Sequence, residues 1–143
     1  MISLEQKKAA IRRFHGEEAN RGTVLYDLLA PNYVGHLASG QQMNGPESFE
    51  QYASVMRTAF PDMHVTVDEI IGEGDIFACR ISFTGTHTGD FMGIPPTNKS
   101  FDVTEAVFVR FEGSKIAEEW QYLNQLAMFQ QLGVSPPTLS LTD

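Results

Sequence analysis

The side chains of this chain best able to move protons or hold a ligand are four histidines, one thiol and a few carboxylates set in apolar runs. His15, His36, His64 and His87 show no i, i+4 pairing and no H-E-x-x-H spacing. Cys79 is the only cysteine, so neither a disulfide within the chain nor a zinc site built on several thiolates is possible. It follows Ile76-Phe77-Ala78 and reads as a buried, inert thiol rather than a nucleophile. No Gly-rich strand-to-helix turn of the phosphate-binding kind occurs. Neither a metal nor a nucleotide has support in these spacings. Glu105 and Glu118 lie inside strand-like runs, where they can pair with Arg80 or Arg110. His87 and Asp90 sit three positions apart in a loop. They either hold that loop through hydrogen bonds to backbone or form a proton relay.

These groups must be positioned by one domain. The chain has 143 residues, 42% of them hydrophobic, enough for a sizeable core but not for two. Residues 1–134 read as the domain and residues 135–143, with Pro136-Pro137, as a flexible tail. The formal charge is −8, which repels phosphate backbones and anionic lipid, so neither nucleic acid nor membrane is an expected partner. The basic residues Lys7 to Arg21 alternate with acids and read as a solvated helix face. No run approaches the length of a membrane span, and no continuous apolar leader opens the chain; a cytoplasmic location is expected.

Ser3 followed by Gln6 is a capping-box signal, and Leu4, Ala10, Ile11 and Phe14 continue at helical spacing until Gly22. Thr23 is expected to cap a second short helix carrying Val24, Leu25, Leu28 and Leu29, closed by Pro31. A short strand over 32–38 and a turn-rich stretch from Gly40 to Pro46 follow. Phe49, Tyr52, Ala53, Met56 and Phe60 then recur every three or four residues, giving a third helix that Pro61 ends and Asp62 follows. Beyond this the period becomes two. Strands are expected from Met63, from Ile76 to about Thr88, from Phe101 to Phe111 and from Lys115 to about Asn124, with one closing helical turn at Leu126–Leu132. Helices first and strands last predict an α+β fold. A curved, mostly antiparallel sheet is closed by the N-terminal helices into a cone with a deep apolar pocket.

Three segments carry a family resemblance: Ala59-Phe60-Pro61-Asp62-Met63, the loop from Gly85 to Thr97, and Arg110-Phe111-Glu112-Gly113 through Lys115-Ile116 to Trp120. With Gln131-Leu132-Gly133 in place after the last strand, roughly residues 5 to 133 resemble the SnoaL-like polyketide cyclases, also called ester cyclases. The resemblance implies a cone of the nuclear-transport-factor type, usually in a homo-oligomer and without metal or organic cofactor. It implies aldol chemistry: an acidic carbon between carbonyl groups loses a proton, and the enolate attacks a carbonyl to close a ring. The cyclases place an Asp four residues after the Trp of their motif, where this chain reads Trp120-Gln121-Tyr122-Leu123-Asn124. Asn124 hydrogen-bonds but exchanges no proton near neutrality. The family histidine fourteen positions earlier falls on Arg110, which stabilises an anion but stays protonated.

A three-residue loop, Glu112 to Ser114, would put Arg110, Phe108 and Ala106 on one sheet face with Glu118, Trp120, Tyr122 and Asn124. That face is expected to line the pocket, with Asn124 at its floor binding a ligand oxygen or making a structural hydrogen bond. Trp120 and Tyr122 fit either pocket wall or plain core. Phe14, Phe49, Tyr52, Ala53 and Phe108 complete the expected lining. Glu118 is the first choice for an acid/base in place of the missing Asp, and His36 is a candidate at the pocket mouth, with a structural role as the alternative. His87 and Asp90 would lie over the pocket. The expected ligand is a small apolar carbonyl compound. The expected function is cofactor-free proton transfer, an aldol-type cyclisation or related isomerisation of the lyase or isomerase kind, in secondary metabolism or small-molecule degradation. The alternative is a non-catalytic small-molecule binding or assembly domain of the same fold. Apolar residues on both faces of strands 76–88 and 101–111 point to a homo-oligomer, a dimer or tetramer.

Overall fold

Ser3 opens the first helix: its hydroxyl accepts from the Gln6 N–H at 3.1 Å, and the Ser3 N–H donates to the Gln6 amide oxygen at 2.8 Å. The computed structural model describes residues 2–22 and 24–134. Helix α1 (Leu4–Arg12) runs without a break into one π-helical turn (Arg13–Glu17) and then α2 (Glu18–Arg21). Gly22 ends it in the left-handed region at φ 81°, where a residue with no Cβ is favoured.

The expected second helix is replaced. Thr23 lies outside the described residues, Tyr26–Leu28 forms one 3-10 turn, and Leu29 already begins strand β1 (Leu29–His36). Pro31 is tolerated inside this strand because the ladder to its neighbour is irregular between Leu29 and Val34, so the missing N–H breaks no regular pairing there. The stretch read as turns contains a three-residue strand, β2 (Gln42–Asn44), paired antiparallel to β1. Helix α3 (Pro46–Ala59) starts with Pro at its first position and ends before Pro61.

Strands β3 (His64–Glu73), β4 (Ile76–Thr86), β5 (Ser100–Glu112) and β6 (Lys115–Leu123) form an antiparallel meander close to the expected boundaries. Helix α4 (Gln125–Leu132) follows. The six strands lie in one open sheet in the order β2-β1-β6-β5-β4-β3, and only β1 and β6 run parallel. The architecture is the α+β one expected. One face of the sheet is covered by helices. Ile11 and Phe14 pack on Phe77, Cys79, Ile81, Val107 and Val109, while Met56 and Ala59 from α3, Phe60 just after it, and Met128 and Leu132 from α4 pack on Phe83, Phe101 and Val103.

The β5–β6 hairpin differs from the expected one in two compensating ways. The loop has two residues, Gly113-Ser114, because Glu112 pairs with Lys115, and Ala117 is an extra residue between the pairs Phe111–Ile116 and Arg110–Glu118. Each difference shifts the register by one, so Ala106, Phe108 and Arg110 do share a face with Glu118, Trp120 and Tyr122. That face is the outer one. Val107, Val109 and Glu119 are buried under the helices, whereas Phe108 is 43% and Tyr122 59% exposed.

Candidate functional site

The alternation that turns Trp120 outward turns Glu119 and Gln121 inward, and the neighbouring strand contributes Glu105 and Val107 to the same inner face. Glu119, 4% exposed, is held from two sides. Its Oε1 accepts from the Tyr33 hydroxyl at 2.8 Å, and its Oε2 is hydrogen-bonded to His15 Nε2. His15 sits on the π-helical turn, which directs it and Phe14 toward the sheet. Tyr52, on the inward face of α3, is linked to Gln121, whose Nε2 donates to the phenol oxygen at 3.1 Å. Of these groups, His15, Tyr52, Glu105 and Gln121 line a cavity of about 80 Å³, and Glu119 and Tyr33 lie behind its wall. His15, Tyr52, Arg57, Glu105 and Gln121 supply its polar wall; Phe14, Phe49, Met56, Val65 and Phe83 supply much of the apolar one.

Burial and mutual charge set the protonation states. Burial pushes the Glu105 carboxyl up from 4.5 to about 7; the nearby His15 pulls it back and Glu119 adds to the rise. For His15, burial lowers the pKa, but the Glu119 charge, the hydrogen bond to it and the Glu105 charge together raise it above its ordinary value. Burial and carboxylate neighbours raise both Tyr33 and Tyr52, so both phenols stay protonated and act as donors. Because His15 Nε2 serves Glu119, its Nδ1 is left without a hydrogen-bond partner among the described residues. The arrangement pairs a carboxyl that titrates near neutrality with an imidazole held in place by a buried carboxylate.

Of the residues singled out from sequence, Phe14, Phe49, Tyr52 and Ala53 line this cavity. Arg110, Glu118, His36, Phe108, Trp120 and Tyr122 come together elsewhere, on the outer face. Glu118 accepts from His36 at 2.7 Å and from Arg110 at 3.3 Å, the His36 ring stacks on Trp120 at 5.4 Å, and Phe108 meets Tyr122 edge-on. The His36 hydrogen bond above all, joined by the Arg110 hydrogen bond and the charges of both partners, outweighs the opposing effect of burial and holds the Glu118 carboxyl below its usual range, unsuited to giving up a proton near neutrality. Asn124 is exposed and caps α4, its Oδ1 accepting from the Ala127 N–H at 3.2 Å. It borders an open groove with Ala38, Arg80 and Tyr122, so its expected place on the floor of the cone is corrected. His87 is fully buried against Phe60 and Phe91, with Nδ1 facing Thr97, and Asp90 accepts from the Gly93 N–H at 3.0 Å. Both lie within the loop's own hydrogen bonds and neither lines the cavity. Asp62 accepts from the Thr86 N–H and hydroxyl, both at 2.7 Å, pinning the end of β4. Among the described residues no group of three His, Cys, Asp or Glu is placed to hold a metal.

His15, Glu119 and Gln121 were not among the candidates, although two periodicities point to them. Ile11, Phe14 and His15 fall at i, i+3, i+4 on one helix stripe, and Glu119 has the strand parity opposite to Trp120. The large aromatics drew the pocket to the wrong face, because exposed aromatics are common while a buried carboxylate is the informative residue.

Relatives match both the fold and most of the chain. Aklanonic acid methyl ester cyclase DauD of Streptomyces sp. (strain C5) is 26% identical over 117 residues, 80% of this chain and 70% of that protein. The aklanonic acid methyl ester cyclase DnrD of Streptomyces peucetius is 26% identical over 105 residues, 73% of this chain and 72% of its own. Wild-type IdmH from Streptomyces antibioticus superposes with a TM-score of 0.79 at 32% identity, over 90% of this chain and 99% of that one. A SnoaL-like protein from Jannaschia sp. CCS1 reaches 0.84 at 22% identity, over 95% and 99%, and shows a shared fold alone. No helix among the described residues is long and apolar enough to cross a membrane. The SnoaL-like polyketide cyclase model matches residues 9–132, nearly the whole of the folded region, and the chain therefore belongs to the SnoaL-like polyketide cyclase family.

Proposed function

We propose that this protein is a cofactor-free acid/base enzyme that cyclises an apolar ester carrying a carbon acid between two carbonyl groups. The observation that carries the reading is Glu105, a cavity carboxyl raised to about 7, beside His15 in its hydrogen bond to Glu119. Glu105 as carboxylate takes the proton from the carbon between the carbonyls. The enolate carbon then attacks a second carbonyl of the same molecule, forming the ring bond as the C=O pair moves onto oxygen. Protonated Glu105 returns its proton to that oxygen, so one carboxyl serves as base and then acid and nothing else is consumed. The His15 imidazolium, positioned by Glu119, stabilises the enolate oxygen by charge and hydrogen bonding. Glu119 touches no cavity atom in this scheme and is a positioning residue, fixed in turn by Tyr33.

The substrate of the named relatives supplies the test. Purified protein given aklanonic acid methyl ester, without added metal or cofactor, is expected to convert it to the ring-closed isomer of unchanged mass, followed by chromatography. Binding of the ester without conversion would instead support the non-catalytic reading.

The proposal includes a homo-oligomer. Among the described residues no helix covers the outer sheet face, which carries Ile76, Phe108 and Tyr122 at 43%, 43% and 59% exposure, beside Trp120. The expected light-scattering mass at micromolar concentration is a multiple of 15.9 kDa, and Phe108→Glu should shift it toward the monomer. A monomer mass for the wild type counts against this part alone.

A further inference from the structure

The inner cavity does not end at its apolar wall. Val24, Ala53 and Arg57 line it and also line a second space of about 300 Å³, an open polar groove bordered by Gly22, Glu50 and Ser54. Helix α3 builds the boundary by its spacing. Phe49, Tyr52, Ala53 and Met56 form the stripe facing the cavity, while Glu50, Ala53, Ser54 and Arg57 form the adjoining stripe along the groove, each at i, i+3, i+4, i+7. Ala53 belongs to both stripes, and with Val24 and Arg57 it forms the boundary that the two spaces share.

Arg57 stands at that junction. It is the sole ammonium or guanidinium among the residues lining either space. Its Nη2 donates to the Ala19 carbonyl at 3.2 Å, a tether to the last turn of α2, and its guanidinium packs on Gly22. Of five N–H donors this uses one, and no carboxylate among the described residues lies within ion-pair distance of it. Glu50 is two helical turns away, about 10 Å along α3, with its carboxylate engaged by the Tyr26 hydroxyl. A half-buried guanidinium with donors to spare is suited to meet an anion that arrives from outside.

The geometry points to Arg57 as the anchor for an anionic oxygen, a carboxylate or phenolate, at the far end of an elongated amphipathic substrate. The reacting carbonyl end occupies the inner cavity, and the oxygen-bearing end lies in the groove on the guanidinium. An 80 Å³ cavity is small against the roughly 300–1,000 Å³ of ordinary ligand pockets, and the groove supplies the missing length. This rests on the acid/base reading of the inner cavity and adds what the substrate must carry at its other end.

The test uses esters that differ only at that end: the monomethyl esters of adipic, suberic and sebacic acids, each against its dimethyl ester, titrated calorimetrically at pH 8 into the intact protein. The expected result is that at least one monoester binds about tenfold more tightly than its diester, the scale of a charge-assisted hydrogen bond pair. Arg57→Gln should abolish that preference and Arg57→Lys should keep part of it, with melting temperatures reporting the fold. Glu105→Gln should leave the preference in place while removing turnover of aklanonic acid methyl ester. Loss of the catalytic reading therefore shows in turnover, and loss of the anchor shows in the ester preference. Equal binding of mono- and diesters by the wild type, no measurable binding of any monoester at millimolar concentration, or a preference that survives in folded Arg57→Gln overturns the proposal.

Discussion

Replacing Glu105 by Gln is expected to lower turnover about 10²- to 10⁴-fold, the range that a positioned acid/base supplies, and at the same time to stabilise the protein at pH 8. The two effects share a cause. In the folded protein the Glu105 carboxyl titrates at about 7 rather than 4.5, because burial penalises its charged form. Below 4.5 both the folded and unfolded states hold the proton and the group has no effect on the balance. Between 4.5 and 7 the unfolded chain ionises first, so stability falls as pH rises, and above 7 the whole penalty is present. At about 1.4 kcal/mol per pH unit, that span amounts to a penalty on the order of 3 kcal/mol. Gln has nearly the same shape and no charge to desolvate. Urea unfolding of wild type and variant should give curves almost superposed at pH 4 and separated at pH 8, with the variant more stable. A constant gap at both pH values, or undiminished turnover, would sink the assignment.

The opposite sign is expected at His15. His15→Ala leaves Glu119 buried, with Tyr33 as its remaining partner, and breaking one side of a buried pair commonly costs about 3–5 kcal/mol. The folded-state pKa of His15 is raised, so the stability it contributes is fully present below its ordinary value of 6.5 and is lost as pH climbs through the raised one. The denaturant midpoint of His15→Ala should therefore lie far below that of the wild type at pH 6 and approach it in alkaline buffer. Adding Glu119→Gln to His15→Ala should recover part of the loss, since an amide can still meet the Tyr33 hydroxyl without a buried charge. If the double variant is as unstable as the sum of the two single ones, the pair is not coupled and the positioning role of Glu119 fails.

Most of the frame was legible in the sequence because local rules decide it. The Ser3–Gln6 cap, the helical stripe from Phe49 to Phe60 ending at Pro61, and the period-two strands with Gly-containing turns appear where the residues require them. Two local features escaped because their cause is distant. Leu29 to Pro31 is extended rather than helical because β6 offers it a parallel edge nearly ninety residues later, and β2 exists because β1 has a second edge to cover. The site was half legible. Its helix-borne apolar wall followed from spacing, but the inward face of β5 and β6 hung on a single bit of parity, which strand periodicity leaves open until one buried residue is known. Asn124 was read as the last strand residue and is the first cap of a helix. Even as a strand residue Asn124 would have shared the outward parity of Trp120 and Tyr122, so the choice of face, not the end of the strand, decides that it lies outside the cavity.

The parallel seam between β1 and β6 also dictates an order of events in time. The β3–β4–β5 meander joins neighbours in sequence and can pair as soon as it emerges, whereas Val34 meets Glu118 and His15 meets Glu119 only across most of the chain. Contacts of such long separation form slowly, since the intervening loop must close before they repay it. During synthesis, Tyr33 therefore waits for Glu119, 86 residues further on, and a chain cut short before residue 115 leaves one edge of β1 without its strand partner and the Tyr33 hydroxyl without its acceptor.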